Sequence, residues 1–128
     1  MLLDTSAIVS IELQESGHES LMAKIEVAKL VLVGVPTLFE TVMVLTGRGG
    51  IDFRPVIFAF LRRIEAEVVP FNEKHLEAAA TAFIRFGRGH HPAKLNFGDC
   101  MSYAIASVAG MPLLFTGNDF CKTDIEQA

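Results

Sequence analysis

Apolar positions along this chain alternate between short continuous runs and runs at helical spacing. Met1-Leu2-Leu3 reads as a short first strand, and Thr5-Ser6 then opens a helix carrying Ile8, Val9, Ile11 and Leu13. A second helix follows Gly17, with Leu21, Met22, Ile25 and Ala28 spaced along one face. Leu30 to Val35 is a continuous, largely β-branched run, as expected of a central parallel strand. Pro36 suits the first turn of a helix, and that helix should end within Gly47 to Gly50. Phe53 to Ile64 is amphipathic, and Glu67-Val68-Val69-Pro70 is a short strand. Glu73 to Phe86 predicts a helix with Ala78, Ala79, Ala82 and Phe83 inward. A loop from Gly87 to Gly98 leads to a helix over Asp99 to Ala109 and a last strand over Pro112 to Phe115. Strands alternating with helices imply a three-layer α/β sandwich, a central parallel sheet flanked by helices with right-handed crossovers.

The chain has 128 residues, 51% of them hydrophobic, and reads as one domain, 1–128, without linker or repeat. Mean hydropathy is +0.40. Its apolar runs are broken well short of the ~20 residues a membrane span needs. The start lacks a basic segment and carries an acid at position 4, unlike a signal peptide, so a cytoplasmic protein is expected. The apolar surplus implies strands buried on both faces and an oligomer interface, expected on Ser16 to Ala28 and Phe53 to Ile64. Cys100 and Cys121 match no metal-ligand spacing and read as reduced core thiols.

Ligands bind such sheets at the carboxyl ends of the strands. Four acids belong at that edge: Asp4, Glu40, Asp99 and Asp119. Each has a simpler reading. Asp4 can cap a helix, Asp99 can favour the positive end of its helix, and Asp119 can be a turn residue beside Gly117-Asn118. Glu40 is hardest to dismiss, because Leu38, Phe39, Val42, Met43, Val44 and Leu45 make its helix apolar almost all round and hence buried. An unpaired buried carboxylate is costly, and Arg48, two turns on, is the nearest basic partner in that stretch. Convergent carboxylates repel one another unless a hard divalent cation joins them. Mg²⁺ or Mn²⁺ among carboxylates points to phosphoryl chemistry. Net charge is −4, a sum that the four acids alone account for, so bulk attraction to nucleic acid is weak.

Other features carry less. His90-His91, with His18 and His75, are poorly spaced for tetrahedral zinc. Gly47-Arg48-Gly49-Gly50 follows a helix and lacks the Gly-Lys-Ser/Thr ending of a phosphate loop, so it reads as a helix end. A phosphatase with an aspartyl nucleophile would want a second Asp two residues after Asp4, where Ser6 stands. A phosphoacceptor domain would want a Lys near the last strand, and the nearest is Lys122. A phosphatase of another α/β family and a non-catalytic nucleic-acid-binding module remain the alternatives.

Four segments in order, Met1-Leu2-Leu3-Asp4-Thr5-Ser6-Ala7, Pro36-Thr37-Leu38-Phe39-Glu40, Leu95-Asn96-Phe97-Gly98-Asp99-Cys100 and Leu113-Leu114-Phe115-Thr116-Gly117-Asn118-Asp119-Phe120, resemble the successive motifs of PIN-domain ribonucleases. The resemblance is to the VapC toxins of type II toxin–antitoxin systems and covers the whole chain. It implies a Mg²⁺- or Mn²⁺-dependent endoribonuclease, a homodimer silenced by a VapB-like antitoxin. The family's acidic positions fall on Asp4, Glu40, Asp99 and Asp119, with Thr5, Ser6 and Thr116 as polar support. Asn118 stands where many relatives carry a further acid, which leaves the number of metal ions open. On this reading Asp4 and Asp99 hold the metal, Asp119 adds negative charge, and Glu40 orients the attacking water or takes its proton. Arg85, Arg88, His90, His91 and Lys94 form the densest basic group, directly before Asp99. Arg85, Arg88 and Lys94 are therefore expected to guide the RNA backbone toward the acids.

Overall fold

The computed structural model describes residues 1–128. Four short strands, β1 (Leu2–Leu3), β2 (Leu32–Gly34), β3 (Glu67–Val69) and β4 (Leu113–Leu114), form one parallel sheet in the order β3-β2-β1-β4. Leu2 is in register with Leu32 and Leu113, and Leu3 with Val33 and Leu114. Because side chains alternate along a strand, these two rows leave the sheet on opposite faces. Leu2, Leu32 and Leu113 join one buried cluster; Leu3, Val33 and Leu114 join the other. The helices divide accordingly. Helices α5 (Glu73–Phe86) and α6 (Phe97–Ala109) cover the first face. The second is covered by α1 (Thr5–Glu12), α2 (His18–Glu26), α3 (Val35–Gly49) and α4 (Arg54–Arg63). The three-layer sandwich expected from the sequence is the fold observed.

Chain order sets where the sheet leaves a crevice. From β1 the chain moves outward through β2 to β3, then returns to lay β4 on the other side of β1. The direction of winding thus reverses between β1 and β4, the kind of place where open α/β sheets leave a crevice. Asp4 leaves β1 there, and Thr116 follows β4.

Several local expectations are corrected. Helix α3 is not buried all round: Thr37, Thr41 and Leu45 face inward, whereas Phe39 is 66% and Met43 58% exposed. Only one stripe of an outer-layer helix can meet the sheet and its neighbours. The inward stripe of α5 is His75, Ala79, Ala82 and Phe86, with Phe83 turned outward, one helical step from Ala82. Helix α6 starts at Phe97, two residues before Asp99. Cys100 is a buried thiol, pushed up to about 11 chiefly by burial, but Cys121 is exposed. The apolar surplus exposed on α4 is limited to Val56 and Phe58; larger rows lie on α3 (Val35, Phe39, Met43) and α5 (Leu76, Phe83, Ile84). No helix is long and apolar enough to cross a membrane.

Candidate active site

Asp4 is nearly fully buried at the end of β1 and caps α1. Its Oδ2 accepts from the Ser6 N–H at 3.0 Å and from Ser6 Oγ at 2.6 Å. The capping role is real, yet it occupies only one carboxylate oxygen. Ser6 Oγ in turn accepts from the Thr116 N–H at 3.0 Å, fastening β1 to the loop after β4. Thr116 is tied to Ser6 through its backbone N–H, and its side chain is exposed.

Glu40 lies in the second turn of α3, partly buried. Thr5 Oγ1 donates to its Oε2 at 2.7 Å. Beneath that contact lies a chain of buried hydroxyls. Thr41 donates to the Thr37 carbonyl at 2.8 Å, and Thr37 Oγ1 and Ser102 Oγ share a hydrogen bond of 3.1 Å. These contacts tie α1, α3 and α6 together around the Glu40 carboxylate. Arg48 does not neutralise Glu40; it reaches Glu15 at 3.4 Å instead.

Asp99 stands in the first turn of α6 within a reciprocal capping box. Asn96 Oδ1 accepts from the Asp99 N–H at 2.9 Å, and Asp99 Oδ2 accepts from the Asn96 N–H at 2.8 Å. The acid is pushed up to about 6. Burial is the main cause, the Asn96 N–H pulls it back, and the charges of Asp4, Asp119 and Glu40 push it up again. That mutual influence places all four acids in one electrostatic neighbourhood. Asp119 is exposed at the start of the 3₁₀ turn Phe120–Lys122, held there by buried Phe120, whose ring packs 5.0 Å from that of Phe115.

Two observations bear on a cation. Hydrogen bonds to Asp4, Glu40 and Asp99 all land on one oxygen of each, Oδ2, Oε2 and Oδ2, leaving the other oxygen for another ligand. The ion pairs of the protein, Arg48–Glu15, Arg54–Asp52, Arg63–Glu12 and Arg85–Asp124, include none of the four acids. An all-oxygen, uncompensated donor set suits a hard divalent ion. No three acids stand at chelating distance as they are.

Asn96 and Gly98 did not stand out in the sequence. The Asn-x-x-Asp spacing of Asn96 and Asp99 is a capping-box signature and could have identified the first. A Cβ at Gly98 would fall 2.3 Å from Glu40 Oε1, so a side chain there would collide with the carboxylate. Nothing in the sequence alone signals that contact.

The basic loop divides. Arg85 is committed to Asp124 at 2.8 Å and lies over the Phe86 ring at 4.5 Å, while Tyr103 also donates to Asp124. Arg88 and Lys94 instead line a shallow cavity with His90 and His91. The loop is closed at its base by Arg88 N–H to Leu95 O at 3.0 Å and Leu95 N–H to Phe86 O at 3.0 Å, immediately before Asn96. All four histidines have a ring nitrogen in a local hydrogen bond: His18 with the Glu15 carbonyl, His90 with the Ile84 carbonyl of α5, His91 with the Ala93 N–H, and His75 in the cap of α5.

The family model for the PIN domain matches residues 1–126. The chain belongs to the PIN-domain family and, within it, to the VapC ribonucleases. It is 41% identical over 127 residues to Ribonuclease VapC36 of Mycobacterium tuberculosis, covering 98% of this chain and 91% of that protein. It is 36% identical over 125 residues to Ribonuclease VapC30 of the same organism, covering 98% and 95%. Among solved structures, M. tuberculosis VapC20, a sarcin–ricin loop cleaving toxin, superimposes with a TM-score of 0.79 at 18% identity, covering 99% and 97% of the two chains. A toxin–antitoxin complex from Klebsiella pneumoniae gives 0.69 at 17% identity, covering 96% and 92%. These structures share the fold of this PIN-domain chain.

Proposed function

We propose that this VapC-family ribonuclease is the toxin of a toxin–antitoxin pair and hydrolyses RNA phosphodiester bonds with Mg²⁺ or Mn²⁺. The observation that carries the reading is the state of Asp4, Glu40 and Asp99: one oxygen held, one free, and no basic partner.

Asp4 and Asp99 would hold the cation, directly or through water, with Asp119 adding negative charge. When bound, the ion acidifies a water and neutralises charge on the phosphate. The chain's own side chains do the rest. Glu40, steadied by Thr5, takes a proton from the attacking water as its oxygen bonds to phosphorus, while the scissile P–O bond breaks and the leaving ribose oxygen departs with a proton from solvent water. Ser6 and Asn96 fix Asp4 and Asp99 in orientation, and Thr5 and Ser6 act as hydrogen-bond donors rather than nucleophiles. Arg88 and Lys94 supply positive charge for an RNA backbone approaching an acidic pocket.

The partners follow from family and surface. A VapB-like antitoxin would cover the acids, presenting a basic residue to carboxylates that lack one of their own. The exposed rows on α3 and α5 supply apolar area for a homodimer. The toxin would act in the cytoplasm, on cellular RNA. The test is cleavage of total RNA by the purified protein, abolished by EDTA and restored by added Mg²⁺. Toxicity on expression should be relieved by the neighbouring small gene. Intact RNA at saturating Mg²⁺ would reject the reading.

A further inference from the structure

We infer that Phe97 is a stacking platform for an unpaired nucleobase of the RNA, a positioning residue beside the site of cleavage; this rests on the ribonuclease reading above. Phe97 is 79% exposed at the first position of α6. It lies between Asn96, which orients Asp99, and Gly98, whose backbone lies against the Glu40 carboxylate. The fold does not use this ring. The hydrophobic contact that normally fixes the entry to a helix joins the residue before the cap to the fourth helical residue. Here those are Leu95 and Cys100, both buried in the cluster that Phe97 does not enter.

The surroundings point to nucleic acid. The basic loop of Arg88 and Lys94 is closed at Leu95, two residues before Phe97. On the other side of Phe97, Gly98 and Asp99 reach the acids. A single strand offers a phosphate and a π-face at every nucleotide, and proteins that track one combine a basic groove with exposed aromatic rings. The segment from Arg88 to Asp99 presents those parts in that order: cations for the backbone, a ring for a base, carboxylates for the bond to be cut. A base inside a duplex has both faces occupied, so the arrangement favours RNA that is unpaired at this position.

The experiment uses the absence of tryptophan from the chain. Phe97→Trp makes a single fluorescent reporter, titrated in EDTA with a single-stranded oligoribonucleotide of mixed sequence, where neither metal nor cleavage is needed. Stacking predicts saturable quenching of the indole by the single strand and little by the matching duplex. In the metal-loaded enzyme, Phe97→Ala should raise KM for unpaired RNA by roughly 5- to 150-fold, the range expected for one base on an aromatic ring. kcat should stay within about twofold, since binding lost equally from ground and transition states appears in KM. Phe97→Tyr should restore KM and Phe97→Leu should not. Val27→Ala removes an equally exposed apolar side chain at the opposite edge of the sheet, beside Met1 and Pro112, and should leave KM unchanged. An unchanged KM in Phe97→Ala, equal rescue by Leu and Tyr, or an indole unaffected by RNA would overturn the assignment and hand this ring to a protein contact. Failure of the parent to cut RNA, with quenching intact, would instead remove the ribonuclease reading and leave the stacking site standing.

Discussion

The Glu40 carboxylate rests against the backbone of Gly98, so closely that a methyl group there would lie 2.3 Å from Oε1 and 2.5 Å from Oε2. A glycine in the first turn of α6 thus makes room for an acid carried by α3, and Thr5 of α1 holds that acid from another side.

Gly98→Ala should fold. The atoms in its way are the end of a flexible side chain, and alanine is favoured over glycine in a helix by about 1 kcal/mol. The melting temperature should stay near the parent's. Displacing a proton acceptor from its site costs roughly 10²–10⁴ in rate, so RNA cleavage should fall by at least the lower figure. A Gly98→Ala protein with full activity would show that Glu40 does not need its observed position.

Asp99 titrates near 6, above its ordinary 3.8. The folded state therefore binds a proton that the unfolded chain has released between those values. The stability from this group is fully present below pH 3.8 and lost as pH rises through about 6. Melts in EDTA should show the parent losing up to about 3 kcal/mol across that window relative to Asp99→Asn, at 1.36 kcal/mol per pKa unit. Parallel curves for the two proteins would contradict the shift. With Mg²⁺ present, protons compete for the same carboxylate, so cleavage should rise through about pH 6.

Replacing both Arg88 and Lys94 by Ala should raise KM and flatten its salt dependence, with the cleavage position unchanged. Each phosphate contact on single-stranded RNA contributes about 0.7 to the log–log slope, so removing two should lower it by roughly 1.4. Arg85→Ala should act differently, loosening the Asp124 and Tyr103 contacts and lowering the melting temperature with little effect on KM. If the double variant binds and cuts RNA like the parent at several salt concentrations, the loop is not the substrate track.

Light scattering at micromolar concentration should give a dimer. Charged substitutions at Phe39 and Met43, or at Leu76 and Ile84, should show which exposed row forms it, because a charge buried in an apolar interface is costly. A monomeric parent would refute the dimer.

The fold was legible because its strands carry rows that must both be buried. Leu2-Leu3 and Leu113-Leu114 send one side chain to each face, and such runs specify a covered parallel sheet. That Asp4 and Asp99 lie at one edge of the sheet was legible for a related reason: strand ends and helix starts meet there. What stayed hidden depends on tertiary contact. The exposure of Phe39 and Phe83 turns on which stripe of an outer helix meets its neighbours, and apolar composition does not decide that. Arg85 read as a free cation because Asp124, 39 residues further on, gives no local sign that it folds back to meet it.

We propose above all that Asp4, Glu40, Asp99 and Asp119 act together through a divalent cation. The most direct measurement is RNA cleavage against Mg²⁺ concentration for the parent, Asp4→Asn and Asp99→Asn, each checked for folding by circular dichroism. Saturable Mg²⁺-dependent cleavage by the parent, and none by either folded variant at any Mg²⁺ concentration, is the result predicted. Near-parental cleavage by either variant, or cleavage by the parent that survives EDTA, would contradict it.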